Sequence, residues 1–162
     1  GYTGAGLSIL LKNKKSSKKF GTKAKTAVLK PRCRLSFGLK NKKHFSSSMD
    51  SSDGLSTTLN EMSSQSKKKF VITSMPSEND ILDFATSNKL NPNDLILNGG
   101  EEYEIVATTS KSNLSKMKKD AKKHRIKLYE IGYVTKGKGV FYKKNGRMIR
   151  IKDKGWQHLQ KR

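Results

Sequence analysis

The sequence has almost no cysteine, no long apolar run and few acidic residues, and each shortage excludes a class of protein. A single cysteine, Cys33, rules out an internal disulfide and a cysteine-rich zinc site. No apolar stretch approaches the ~20 residues that a membrane-spanning helix needs, and no charged-then-apolar leader with a cleavage site is present. We therefore expect a soluble, cytoplasmic protein without a membrane partner.

The scarcity of acidic residues leaves a large positive charge. There are 35 lysines and arginines against 13 aspartates and glutamates, a net charge of +22. Such an excess favours polyanionic partners: nucleic acids, nucleotides or anionic membranes. The lysines, however, occur in short clusters interleaved with apolar residues, as on the solvated faces of folded elements, and only 7% of the residues are aromatic. No signature of an RNA-binding sheet occurs, so the sequence disfavours nucleic acid as a partner.

Length and patterning predict the fold class. With 162 residues, of which 33% are hydrophobic, the chain is predicted to form a single domain, 1–162, with a modest core. Helical and strand patterns alternate along it, which predicts an α/β (α+β) fold with a mixed β-sheet flanked by helices. Because the first residue is a glycine within what resembles mid-domain sequence, we expect the chain to be a piece of a longer protein.

Individual segments give more local expectations. Thr3–Leu11 is predicted to be a helix whose glycines either let its N-terminal amides face an anion or allow close helix packing. A second helix is predicted at Lys23–Leu29. Strands are predicted at Phe45–Met49 and Lys127–Thr135. Ser112 is predicted to cap a helix with an apolar face.

The most informative stretch is residues 49–55, Met-Asp-Ser-Ser-Asp-Gly-Leu, where a predicted strand becomes a predicted helix. Two carboxylates, Asp50 and Asp53, flank a hydroxyl, Ser52, in a turn that ends in glycine. Mg²⁺ prefers oxygen ligands and is usually held by one or two carboxylates together with substrate phosphates. Phosphate sites are common at strand-to-helix junctions. The same residue types also form ordinary turns, so this segment alone leaves both interpretations open.

Three further segments follow this turn: Gly-Gly-Glu-Glu-Tyr-Glu-Ile at 99–105, Ile-Gly-Tyr-Val at 131–134 and Lys-Gly-Trp-Gln-His at 154–158. Together with Asp-Ser-Ser-Asp-Gly-Leu at 50–55 they resemble the C-terminal half of thiamine-monophosphate kinases, in the aminoimidazole ribonucleotide synthetase superfamily. Residues 1–7 resemble the start of that C-terminal domain, so the resemblance covers essentially the whole chain.

The resemblance implies phosphoryl transfer from ATP to thiamine monophosphate, giving thiamine diphosphate, with Mg²⁺ between the nucleotide and the acceptor phosphate. It implies that Asp50 and Asp53 are Mg²⁺ ligands and that Ser52 contacts the nucleotide phosphates. It further implies that Glu101 and Trp156 contact the thiamine portion. A carboxylate suits a hydrogen-bonding aminopyrimidine, and an indole face suits a flat cationic thiazolium.

Each of these residues also has a purely structural interpretation. Asp53 could be the N-cap of the following helix, and Ser52 could be a turn hydroxyl. Glu101 could be a solvated charge at the entry to a strand, and Trp156 could pack the C-terminus.

The resemblance also implies partners. The N-terminal half of the family, which carries most Mg²⁺-binding aspartates and forms the dimer interface, is absent from this sequence. We therefore expect a homodimer for the longer protein and little or no activity from this chain alone. Glu102 stands where the family usually has aspartate. The competing hypotheses are another ATP-using enzyme of the same superfamily and a non-catalytic basic module that binds a nucleotide or nucleic acid.

Overall fold

The computed structural model describes residues 1–155. Within them the chain forms seven α-helices, a short 3₁₀ helix at Lys42–His44 and six strands. The helices are α1 Tyr2–Lys12, α2 Lys18–Leu29, α3 Leu35–Asn41, α4 Leu55–Ser66, α5 Asn79–Ser87, α6 Pro92–Leu97 and α7 Lys111–Lys123. The strands are β1 Ser47–Asp50, β2 Lys68–Ile72, β3 Ile105–Thr108, β4 Gly132–Lys136, β5 Gly139–Lys144 and β6 Arg147–Arg150. None of these helices is both long and apolar enough to cross a membrane.

The described strands form two sheets. The larger has the order β4-β2-β5-β6, in which β2 and β5 run parallel and the outer strands pair antiparallel. Its strands carry seven lysines and arginines and no acidic residue. The smaller sheet pairs β1 with β3 in antiparallel orientation. The prediction of an α+β fold with a mixed sheet flanked by helices is confirmed, and the β1–β3 pair is an additional feature.

Helix α4 connects the two sheets through a shared hydrophobic core. Apolar residues recur along it at intervals of three and four, so they lie on one face. This face packs against the larger sheet and against β1 and β3. The core contains the buried side chains of Leu55, Leu59, Met62, Phe70, Ile72, Val140 and Ile151, with Met49 and Val106 packed against it. Since only residues 51–54 separate β1 from α4, this packing fixes the turn between them.

Helices α1 and α2 cross closely because α1 is rich in glycine. A Cβ on Gly6 would lie 2.4 Å from the carbonyl oxygen of Ala24 in α2, and one on Gly4 would lie 2.5 Å from the carbonyl oxygen of Leu95 in α6. Of the two roles open to these glycines, the contacts support close helix packing. The predicted helix itself is confirmed and starts one residue earlier.

Several predicted boundaries were wrong. Helix α2 begins at Lys18 rather than Lys23, because the Ser17 side chain accepts a hydrogen bond from the amide of Phe20 and starts the helix early. Helix α7 is capped by Ser110, whose hydroxyl accepts from the amide of Asn113, and Ser112 lies inside the helix.

The strand predicted at 127–135 forms only from Gly132. The preceding residues are held by side chains instead: the Tyr129 hydroxyl donates to Glu78 at 2.7 Å, and Lys127 pairs with the same carboxylate.

Candidate functional site

The turn between β1 and α4 depends on a backbone shape that favours glycine. Gly54 has φ 105° and ψ 151°, a combination that residues with a Cβ rarely adopt. A Cβ there would also lie 3.1 Å from the carbonyl oxygen of Leu97, at the end of α6. Gly54 is itself the N-cap residue of α4, and no side chain caps this helix. The interpretation of Asp53 as an N-cap is therefore wrong, and its carboxylate is available for another role.

The turn presents oxygen atoms of several kinds. Asp50 is exposed at the end of β1, whereas Ser52 and Asp53 are half-buried. The backbone carbonyl of Asp50 accepts a hydrogen bond from the Thr58 hydroxyl of α4 at 2.9 Å, which holds the turn against the helix. Ser51 is 1% exposed, and its hydroxyl has no hydrogen-bond partner within residues 1–155. Buried hydroxyls nearly always have a hydrogen-bond partner, so the unpaired hydroxyl of Ser51 is an unusual feature of this turn.

A second loop, residues 99–104 between α6 and β3, lies directly on this turn. The Glu101 amide donates to the Ser52 carbonyl at 2.6 Å and the Tyr103 amide to the Ser51 carbonyl at 3.2 Å. In return, the Ser51 amide donates to the Glu104 carbonyl at 3.0 Å. The structure therefore brings together two of the predicted segments, 50–55 and 99–105, through main-chain hydrogen bonds.

The double glycine of this loop is explained by the close approach of neighbouring backbone atoms. A Cβ on Gly99 would lie 2.8 Å from the amide nitrogen of Gly4 in α1, and one on Gly100 would lie 2.9 Å from the Ser52 carbonyl oxygen. Both distances are too short for any side chain. The two glycines thus allow the loop to pass between α1 and the turn.

The carboxylates of the 99–104 loop have separate partners. The Tyr103 hydroxyl donates to Glu101 at 2.8 Å, and the Thr3 hydroxyl of α1 donates to Glu102 at 3.2 Å. Glu104 accepts two hydrogen bonds from Arg34, just before α3. Glu101 is exposed, and its one side-chain hydrogen bond within residues 1–155 comes from the hydroxyl of Tyr103, two residues along the same loop. Sequence reasoning missed Arg34, which lies outside all the singled-out segments, and gave no role to Ser51 and Tyr103, which lie within two of them.

The segment before Trp156 reaches the same turn. A Cβ on Gly155 would lie 2.1 Å from the carbonyl oxygen of Asp53 and 2.0 Å from the Thr57 hydroxyl. The Thr57 hydroxyl also donates to the carboxylate of Asp153 at 2.7 Å. Trp156, predicted as a thiamine contact, lies outside the described residues. Of the four segments in the resemblance, the structure thus brings the first two and the beginning of the last to one place.

The oxygen atoms of the turn suit a Mg²⁺ ion that takes only a few of its ligands from the protein. Between residues 1 and 155, no group of three or more histidine, cysteine or acidic side chains could hold a metal ion. The exposed carboxylate of Asp50 and the half-buried one of Asp53 provide hard oxygen ligands but no protein cage. Mg²⁺ commonly binds to one or two carboxylates and takes its other ligands from phosphate oxygens and water. The residues therefore fit a Mg²⁺ ion that arrives with, or bridges to, a phosphate ligand.

A second polar cluster, Ser77 to Asp80 with Lys127 to Tyr129, lines a cavity of about 480 Å³. Its charged groups already satisfy one another. Hydrogen bonds from Lys127 and Tyr129 hold the pKa of Glu78 below its usual range, and Tyr2 and Lys23 contact Asp80. These hydrogen bonds tie the start of α5 to residues 127–129 and to α1 and α2, which is a structural role for the cluster.

Known proteins similar to this chain agree on one kind of enzyme. A thiamine-monophosphate kinase from Nitrosopumilus maritimus (strain SCM1) is 54% identical over 160 residues, which cover 99% of this chain and 51% of that protein. A thiamine-monophosphate kinase from Aquifex aeolicus (strain VF5) is 30% identical over 161 residues, covering 98% of this chain and 49% of that protein. The chain thus spans about half the length of the curated relatives it matches.

The fold agrees with this similarity. The solved structure of AaThiL complexed with AMPPCP and TMP superposes with a TM-score of 0.79 at 29% identity, covering 98% of this chain and 48% of that one. In addition, residues 2–144 match the family described as AIR synthase related protein, C-terminal domain. The architecture, the segment order and these matches are consistent, and the chain belongs to the family of AIR synthase related protein C-terminal domains.

Proposed function

We propose that this chain is the C-terminal half of a thiamine-monophosphate kinase. The joining of the 50–54 turn to the 99–104 loop by main-chain hydrogen bonds supports this most directly. It puts candidate metal ligands and a candidate substrate contact on one surface, in a chain 54% identical to such a kinase. The reaction transfers the terminal phosphoryl group of ATP: its bond to the bridging oxygen breaks, a bond to a phosphate oxygen of thiamine monophosphate forms, and ADP leaves.

The residues of the turn would act mainly by positioning and charge. Phosphoryl transfer needs little covalent chemistry from a protein, because alignment and neutralisation of phosphate oxygens supply most of the catalysis. Asp50 and Asp53 would hold Mg²⁺, which when bound neutralises phosphate charge. Ser52 would contact the nucleotide phosphates. The half-buried position of Ser52 and Asp53 at the N-terminus of α4 suits this role, since helix N-termini favour anions.

Glu101 and Trp156 would orient the vitamin. Glu101 is fixed by the Tyr103 hydroxyl and lies on the surface that continues from the turn, so its carboxylate could accept hydrogen bonds from the aminopyrimidine. The indole of Trp156 would stack on the cationic thiazolium. Its neighbour Gly155 contacts the turn, which supports a location for this contact close to the phosphates.

The proposal includes partners and a location. The relatives are about twice as long as this chain, and we propose that their other half supplies further metal ligands and the surface of a homodimer. We further propose that the enzyme works in the cytoplasm. Nucleic acid is not part of the proposal, although another ATP-using activity of the same superfamily and a basic binding module remain the alternatives.

Calorimetric titration tests the proposal directly. Thiamine monophosphate and Mg-ATP are titrated separately into the longest natural form of the protein. Trp156→Ala is expected to weaken thiamine monophosphate binding about tenfold, because a cation–π contact is worth roughly 0.5–2 kcal/mol, depending on its desolvation, and about 1.4 kcal/mol is tenfold in affinity. Asp50→Ala is expected to weaken mainly the Mg-ATP response. Asp83→Ala, which removes an exposed carboxylate of α5, is the matched control and should change neither.

Other outcomes would favour the alternatives. Mg-ATP binding without thiamine monophosphate binding would indicate a different enzyme of the superfamily. Binding of neither, together with oligonucleotide binding that falls steeply with salt, would indicate a basic binding module.

The chain alone is expected to form no measurable thiamine diphosphate. The described residues offer two carboxylates for metal at the turn, and phosphoryl-transfer sites depend on several converging charges. The measurement is ATP-dependent formation of thiamine diphosphate by the 162-residue chain and by the longest natural form, at equal molar concentration. Turnover by the chain alone within tenfold of the longer protein would refute the idea of a shared site.

A further inference from the structure

The 99–104 loop adopts a backbone that its residue types disfavour. Glu101 has φ 62° and Tyr103 has φ 50°, in the left-handed region that residues with a Cβ seldom occupy. Two such residues within three positions persist only where surrounding contacts hold them. Loops of this kind concentrate at ligand-binding sites, because the unusual backbone sets the direction of particular side chains. Here the side chains concerned are those of Glu101 and Tyr103, which bond to each other.

One side chain from outside the loop clamps its C-terminal end. The Arg34 Nε donates to Glu104 Oε2 at 2.8 Å, and its Nη2 donates to Oε1 at 2.6 Å. This two-bond geometry fixes the direction of the carboxylate as well as its distance. Through its carbonyl oxygen, Glu104 also accepts from the amide of Ser51 in the turn. A single residue therefore connects α3, the loop and the turn.

The exposure of this ion pair argues against a large role in global stability. The Arg34 and Glu104 side chains are 36% and 45% exposed, and pairs that exposed contribute little to folding. The opposite end of the loop has its own anchors on α1, at Thr3 and Gly4. Loss of the Arg34 clamp would therefore leave the fold intact, and the part of the loop that carries Glu101 and Tyr103 would be held by its main-chain hydrogen bonds to Ser51 and Ser52 alone.

We propose that Arg34 is a positioning residue: by clamping Glu104 it holds the 99–104 loop in the shape that presents Glu101 to the thiamine portion of the substrate. The inference rests on the proposed function and adds to it a residue, Arg34, that affects substrate binding only through Glu104 and the loop. It predicts a separation between the two substrates. The 50–54 turn has a second anchor on α4, where the Thr58 hydroxyl lies within hydrogen-bond distance of the carbonyl oxygens of Asp50 and Gly54, so the metal and nucleotide contacts should depend much less on Arg34 than the thiamine contact does.

The test is steady-state kinetics of the longest natural form. Arg34→Gln is expected to raise the KM for thiamine monophosphate about tenfold and the KM for ATP less than twofold. Arg34→Lys keeps the charge but cannot form both hydrogen bonds, so it should give an intermediate rise. Lys118→Gln removes another exposed ion pair, Lys118–Glu130, and is the matched control: it should leave both KM values unchanged. Equal rises in both KM values, or no rise in either, would overturn the proposal.

Charge reversal gives a second readout. Arg34→Glu should impair thiamine monophosphate binding, and adding Glu104→Arg should recover most of the loss if the two side chains act as a pair. No recovery in the double variant, with both proteins folded by circular dichroism, would count against the clamp.

Hydrogen exchange separates this inference from the proposed function. In ligand-free protein, Arg34→Gln should speed exchange of the Glu101 and Tyr103 amides at least fivefold, whereas Lys118→Gln should not. If the unaltered protein binds no thiamine monophosphate, the proposed function fails, yet this exchange difference still tests the clamp. Unchanged exchange in Arg34→Gln would overturn the inference even if kinase activity is found.

Discussion

Replacing Asp53 with asparagine is expected to lower the kcat of the longest natural form at least 100-fold. Asparagine has nearly the same shape, so the turn should keep its backbone. It lacks the negative charge that would hold Mg²⁺ against the phosphates. Loss of one charge-stabilising group in such sites commonly costs 10²–10³ in rate, or roughly 3–4 kcal/mol. The measurement is the rate of thiamine diphosphate formation across a range of Mg²⁺ concentrations.

The Mg²⁺ series separates metal binding from a structural effect. If Asp53 is a ligand, the variant should need more Mg²⁺ for half-maximal rate, and its unfolding temperature should stay within about 2 °C of the unaltered protein. Asp83→Asn makes the same chemical change on the exposed face of α5 and should keep its full rate. An Asp53→Asn protein with at least half the normal kcat at every Mg²⁺ concentration would rule out the metal role.

Replacing Gly6 with alanine is expected to destabilise the fold by about 2–3 kcal/mol. Helix propensity alone predicts the opposite sign, because alanine is better than glycine in a helix by about 1 kcal/mol. The new Cβ, however, would lie 2.4 Å from the Ala24 carbonyl oxygen and 2.6 Å from a methyl group of Val28. A backbone carbonyl within a helix cannot turn away, so α1 and α2 must separate and lose packing around Ala5 and Phe20.

Gly21→Ala is the control for this substitution. Gly21 lies in the partner helix α2, and a Cβ there would meet chiefly the Ser16 hydroxyl at 2.6 Å, which can rotate aside. This variant should therefore be neutral or stabilised by up to about 1 kcal/mol. Chemical denaturation of the two variants gives the comparison. Equal stability of both would mean that the α1–α2 crossing is looser than the structure indicates.

The sequence alone predicts the turn at 50–54, because the patterns that indicate this turn are all local. A strand, two carboxylates, a glycine and an apolar helical repeat follow one another directly, and each has its own physical signature. The same holds for α4, whose stripe of Leu55, Leu59 and Met62 lies in the core as the spacing predicts.

The rest of the site depends on contacts between segments far apart in the chain. Arg34 and Glu104 are 70 residues apart, and no spacing rule connects them. The left-handed backbone of Glu101 and Tyr103 contradicts local preference and is held by tertiary hydrogen bonds, so no local pattern predicts it. Residues 127–131 do not form the predicted strand for a similar reason, since Glu78, the residue just before α5, holds Lys127 and Tyr129.

Among the strands of residues 1–155, β4 and β6 are the two edge strands of the larger sheet. Unpaired amides and carbonyls along such edges can template strand addition from a second molecule, and lysines or arginines there oppose it by repulsion. With Lys136 on one edge, Arg147 and Arg150 on the other and no acidic residue on any of the four strands, two copies meeting edge to edge bring like charges together. This protection is electrostatic, so it shrinks as the screening length falls from about 10 Å at 0.1 M salt to about 3 Å at 1 M. Self-association of the protein through these edges is therefore expected to increase with ionic strength, and concentrated stocks are best kept at low salt.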